Sequence, residues 1–67
     1  MTNIPVTIMI ARLNAGLTQK QLGEMCGYKV GYAQRYVSGW ESGVRPVPKS
    51  KIILVGKILN IDPLTLL

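Results

Sequence analysis

Residues 18–43 read TQKQLGEMCGYKVGYAQRYVSGWESG, and their punctuation decides the fold. Thr18 with Gln21 three residues on is a capping box: the hydroxyl accepts from an orphan amide and the Gln side chain reaches back to the cap. Leu22, Met25 and Cys26 supply the apolar side of the helix that follows, and Gly27 stops it. A further helix spans Tyr32 to Glu41. Stepped at about 100° per residue, it gathers Ala33, Tyr36, Val37 and Trp40 on one face, with Glu41 at the border. Gln34, Arg35, Ser38 and Gly39 fall on the other face, and Gly43 closes the helix.

Outward from this stretch the signals stay helical. Asn3-Ile4-Pro5 reads as a helix start, with Pro near the first helical position. Ile8, Met9, Ala11, Leu13 and Leu17 recur at roughly helical spacing, and Gly16 is a left-handed cap. After Gly43, Pro46 and Pro48 bar a helix interior. A fourth helix runs from about Pro48 to Leu59 on Ile52, Leu54, Val55, Ile58 and Leu59, with Asn60 as its cap. Asp62-Pro63 then opens a last short turn over Leu64 to Leu67. No segment alternates with period two. The expectation is an all-α, compact five-helix domain covering residues 1–67.

Composition narrows the function. The chain has 67 residues, 8 of them Lys or Arg and 3 Asp or Glu, for a net charge of +5. One domain of this length buries only roughly 60% of the surface of its unfolded chain, which leaves little room for a walled catalytic cleft. Histidine is absent and the acids are Glu24, Glu41 and Asp62, so catalytic triads and His/Cys metal sites lack their groups. The chain is read as a non-enzyme without cofactor, metal or small-molecule ligand. Cys26, the single cysteine, cannot form an internal disulfide and reads as a small core hydrophobe, consistent with a reducing compartment such as the cytoplasm. No run is long enough for a membrane span. The basic excess points to a polyanion, nucleic acid before an anionic membrane.

Two short helices across a Gly-containing turn, the second with polar groups outward, form a helix-turn-helix arrangement. The runs LTQKQLGEMCG (17–27), VSGWESGVRPVP (37–48) and KILNIDPLTLL (57–67) make the chain similar to the Cro/repressor family of phage and bacterial regulators, also called lambda-repressor-like or XRE. The resemblance covers about Ile8 to Leu67. One departure stands out. In most members the distance from the glycine ending helix two to the glutamate ending helix three is shorter by about four residues. Helical phase puts the extra length in Tyr28 to Tyr32, so an extended turn is expected there, with Gly31 permitting its backbone.

The resemblance implies roles for matching residues. Gln34 and Arg35 would read base edges in the major groove, with Ser38 as the next reader. Gly39 would let the helix approach closely. Gln19, at the start of helix two, would bond a phosphate, and Lys29, Arg45, Lys49 and Lys51 would grip others. Arg12 and Glu41 would form a structural ion pair joining helix one to the end of helix three. Val37 and Trp40 are core. Tyr36 reads as core edge within reach of a phosphate. Tyr28 and Tyr32 stay open between packing and DNA, while Lys20 and Lys57 read as solvated charges.

Leu64, Leu66 and Leu67 are too apolar for a free tail. They either fold back on helix one or form a subunit contact, and a homodimer interface is the favoured reading. A two-fold dimer would set two recognition helices roughly 34 Å apart on a near-palindromic operator. The function implied is that of a stand-alone Cro-type repressor in a bacterial host, associated with the nucleoid, binding double-stranded DNA and occluding a promoter. An antitoxin or a restriction-modification controller would use the same module. An antirepressor that binds protein and not DNA is the alternative from another class.

Overall fold

In the computed structural model, which describes residues 3–66, four α-helices and a terminal 3-10 turn enclose one apolar core. The helices are α1 (Ile4–Asn14), α2 (Gln19–Met25), α3 (Val30–Ser42) and α4 (Lys49–Leu59), and the turn is Pro63–Leu66. The fifth helix expected from the sequence is only this turn. Asp62 starts it, its carboxylate accepting from the Leu64 amide at 3.0 Å.

The helix ends follow their cap chemistry. Asn3 caps α1 by accepting from the Val6 amide at 3.3 Å, with Pro5 in the first turn. Thr18 and Gln21 make both bonds of the capping box, at 3.0 and 2.8 Å. Gly16, Gly27 and Gly43 all take positive φ after helix ends, where a side chain would be strained. Asn60 does the same after α4, at φ 56°.

The expected extended turn over Tyr28 to Tyr32 does not exist. The helix begins at Val30, and the connection is Cys26-Gly27-Tyr28-Lys29. Lys29 is extended, and its carbonyl accepts from the amides of Tyr32 and Ala33, both at 2.9 Å. Gly31 does not adopt positive φ. Val30 and Gly31, expected in that turn, instead begin α3. Ala33, Val37 and Trp40 form one buried seam at helical spacing, and Ala33 is pressed against Gly23 of α2. The helix therefore starts two residues earlier than its polar face alone indicates.

The core joins Ile8, Leu22, Cys26, Val37, Trp40, Val47, Ile52, Val55, Leu59 and Leu66. Leu66 is 5% exposed and belongs to this core. It is therefore removed from the expected dimer interface: the chain folds back, held close by Gly56, where a Cβ would sit 2.8 Å from the Pro63 ring. Leu64 is exposed, and Leu67 lies outside the described residues. On α1, Met9 and Leu13 stay exposed and make a solvent-facing row with Val6 and Ile10. No helix among the described residues is long and apolar enough to cross a membrane.

Candidate nucleic-acid interface

The outer side of α3 carries the groups singled out from sequence. Gln34, Arg35 and Ser38 are exposed, while Ala33, Val37 and Trp40 anchor the opposite side in the core. The longer helix changes their position. Gln34 and Arg35 sit in its second turn, behind Val30, Gly31 and Tyr32, which are also exposed. The most outward line is Gly31, Arg35, Ser38 and Ser42, spaced so that successive turns stack them. Arg35 is the one long side chain on that line.

Gln34 shares a cleft with Gln19 and Lys20, bounded by Arg12, Leu17 and Thr18. The start of α2 and the second turn of α3 thus face one space. Gln19 is half-buried, and its Nε2 donates to Glu41 Oε1 at 3.2 Å. A Gln amide has a second N–H, which remains for a ligand.

Glu41 is the hub behind this surface. Arg12 meets it with Nε to Oε2 at 2.6 Å and Nη2 to Oε1 at 3.1 Å. Arg12 Nη1 also donates to the Leu17 carbonyl at 2.8 Å. The two side chains are 11% and 6% exposed, so this is a nearly buried, bidentate pair in which each guanidinium nitrogen has a partner. It ties α1, the α1–α2 turn and the end of α3 together, the structural place expected for it.

The basic residues divide into two sets. Lys29, Arg35, Arg45 and Lys49 are exposed. Lys51 is not available in the way the sequence suggested. It is half-buried, its ammonium donates to the Cys26 carbonyl at 2.8 Å, and it lies 5.2 Å from the Tyr28 ring centroid. It satisfies the end of α2, where carbonyls lack partners and the helix dipole is negative.

The tyrosines also resolve. Tyr28 stacks on Tyr36 with centroids 4.2 Å apart and meets Trp40 edge-on at 5.9 Å. Burial pushes the Tyr28 hydroxyl pKa up, with Cys26 and Tyr36 adding to the shift. Burial likewise raises the Cys26 thiol, and the charge of Lys51 opposes this in part. Tyr32 is exposed. Gly39 is covered by the stem of Arg45, whose Cδ lies 3.0 Å from where a Cβ would be. Its absent side chain makes room for an arginine of the same chain, a role its sequence position did not signal.

A helix-turn-helix family pattern matches residues 8–66. The chain belongs to the Cro/repressor helix-turn-helix family. No curated protein and no solved structure gives a significant match. Family membership makes this a DNA-binding regulatory domain and not a member of an enzyme family. Among the described residues no cluster of His, Cys, Asp or Glu is suited to a metal.

Proposed function

We propose that this Cro/repressor-family domain is a sequence-specific repressor that binds a near-palindromic operator as a homodimer and occludes a promoter. The observation that carries the reading is the two-sidedness of α3. Its inner seam is fully buried, and its outer side offers hydrogen-bonding groups with no structural task. Placed in a major groove, Arg35 has the donor fork for guanine O6 and N7, and Gln34 has the donor and acceptor for adenine N6 and N7. Ser38 adds an adaptable contact one turn on. Gln19, Lys29, Lys49 and Arg45 supply contacts to the backbone and fix register.

Dimerisation enters because one domain of this size reaches few phosphates. Among the described residues of the terminal segment, the remaining interface candidate is Leu64, which is 72% exposed. Repression by occlusion needs no additional domain: affinity and concentration set occupancy.

Binding-site selection from random duplex DNA at two salt concentrations tests the proposal. The expected result is an enriched pair of inverted half-sites about one helical turn apart, with affinity falling steeply as salt rises. Enrichment of no sequence would sink the reading of α3 as a base reader. A single unpaired half-site would sink the dimer.

A further inference from the structure

Arg45 belongs to the segment after α3, but its side chain lies on α3. Three contacts hold it there. Its amide donates to the Gly39 carbonyl at 3.1 Å. Its stem crosses Gly39, where a Cβ would lie 3.0, 3.1 and 3.3 Å from its Cδ, Cγ and Cβ. Its guanidinium carbon is 5.4 Å from the centroid of the Tyr36 ring. Tyr36 in turn stacks on Tyr28 at 16° between ring planes, and Lys51 stands 5.2 Å from the Tyr28 centroid. The arginine therefore rests on a ring pair that is itself braced by a second cation.

A guanidinium placed over an aromatic ring keeps its N–H donors free in its own plane. Among the described residues no carboxylate engages Arg45. Arg45 is exposed, as are the small residues Gly31, Ser38 and Ser42 of the outward line of α3. The outward line of α3 has one long side chain of its own, Arg35. The passage over Gly39 brings a second guanidinium to the same helix.

We propose that Arg45 works as a base-reading side chain of α3, occupying the place that Gly39 leaves without one, with guanine as its target. The two in-plane donors of a held guanidinium match guanine O6 and N7. Pre-organisation by the ring pair lowers the ordering penalty of a long side chain on binding. The assignment rests on the proposed docking of α3 in the major groove, and it gives Arg45 a specificity role beyond gripping a phosphate.

The test compares the full chain with its Arg45→Lys and Gly39→Leu variants, by duplex selection and by competition against operators changed one base pair at a time. Arg45→Lys keeps the charge and loses the fork. It is expected to preserve the salt dependence while losing roughly 5- to 150-fold discrimination at one guanine position per half-site. Gly39→Leu blocks the track of the stem and should abolish preference at the same position, leaving the Arg35-dependent position intact. Thermal melts report whether the Leu variant folds, and Arg45→Lys, a change at an exposed residue, decides the matter if it does not. A wild-type preference retained in Arg45→Lys would overturn the assignment and leave Arg45 a phosphate contact. A wild-type chain that selects no sequence would overturn the DNA-reading proposal beneath it.

Discussion

Gly23 of α2 lies directly against the backbone of Ala33 in α3, so close that a Cβ at Gly23 would overlap the Ala33 carbonyl. This contact sets the angle and register of the two helices that make up the motif. Neither partner is a flexible side-chain end, so the structure has no cheap way to yield. Gly23→Ala is expected to destabilise the fold by about 1–3 kcal/mol through overpacking, despite the gain in helix propensity. Chemical denaturation of the two proteins measures it; equal midpoints would show that the helices separate without penalty.

The Arg12–Glu41 pair predicts an asymmetric mutational response. Removing the carboxylate in Glu41→Ala leaves a guanidinium enclosed, and Gln19 loses an acceptor too. The expected loss is about 3–5 kcal/mol, whereas replacing both partners by apolar residues of similar volume should cost much less. A double-mutant cycle on thermal or denaturant melts gives the coupling directly. Additive effects would mean the pair does not act as a unit.

Alkaline pH should weaken the fold. The Cys26 thiol has its pKa raised above the ordinary 9.0 by burial, and the Tyr28 hydroxyl is raised above 10.0 for the same reason. In the unfolded chain both groups ionise at their ordinary values. Between those values and the raised folded ones, the native state alone holds the protons, so stability falls as pH rises. Below about pH 8 the contribution is fully present. Melting temperatures taken from pH 7 to 11 should fall above about pH 9, and Cys26→Ala should remove part of the slope. A flat profile through pH 11 would contradict it.

Arg35 and Lys49 should fail differently. Arg35→Ala is expected to relax base preference at one position by about 1–3 kcal/mol. Lys49→Ala should weaken all sequences alike and reduce the salt slope by about one unit. Competition binding on operator and scrambled duplexes separates the two. The same pattern from both variants would remove the distinction between reader and grip.

Leu64 offers a direct probe of pairing. It is highly exposed, so Leu64→Glu should leave the monomer's melt close to wild type while shifting sedimentation toward monomer. An unchanged dimer would place the interface elsewhere, and the exposed row Val6, Met9, Ile10 and Leu13 on α1 would then be the surface to change next.

What could be read from the sequence was what is local. The Thr18–Gln21 box, the capping glycines and the Ala33–Val37–Trp40 seam each depend on residues within a few positions, and all appear in the structure. The true start of α3 is not legible because Val30 and Gly31 carry little helical preference of their own. Their helix is imposed by packing of Ala33 on Gly23, a contact between elements. Leu66 looked like a surface leucine because nothing nearby in sequence marks the void it fills beside α4. The placement of Arg45 was out of reach for the same reason: the path of the Val44–Pro48 segment over Gly39 is set by the core, where Val47 is buried. The Arg12–Glu41 pair was legible only through the family resemblance, since neither its spacing nor its burial follows from periodicity.

The Arg12–Glu41 bond spans 29 residues of chain, while α2 and α3 meet across the short connection Cys26-Gly27-Tyr28-Lys29. Loop closure penalises distant contacts more than near ones, so the α2–α3 pair organises early and the ion pair locks onto a frame already formed. The bond therefore acts on the lifetime of the native state. Its loss should raise the unfolding rate and leave the refolding rate nearly unchanged, the kinetic signature of a late latch.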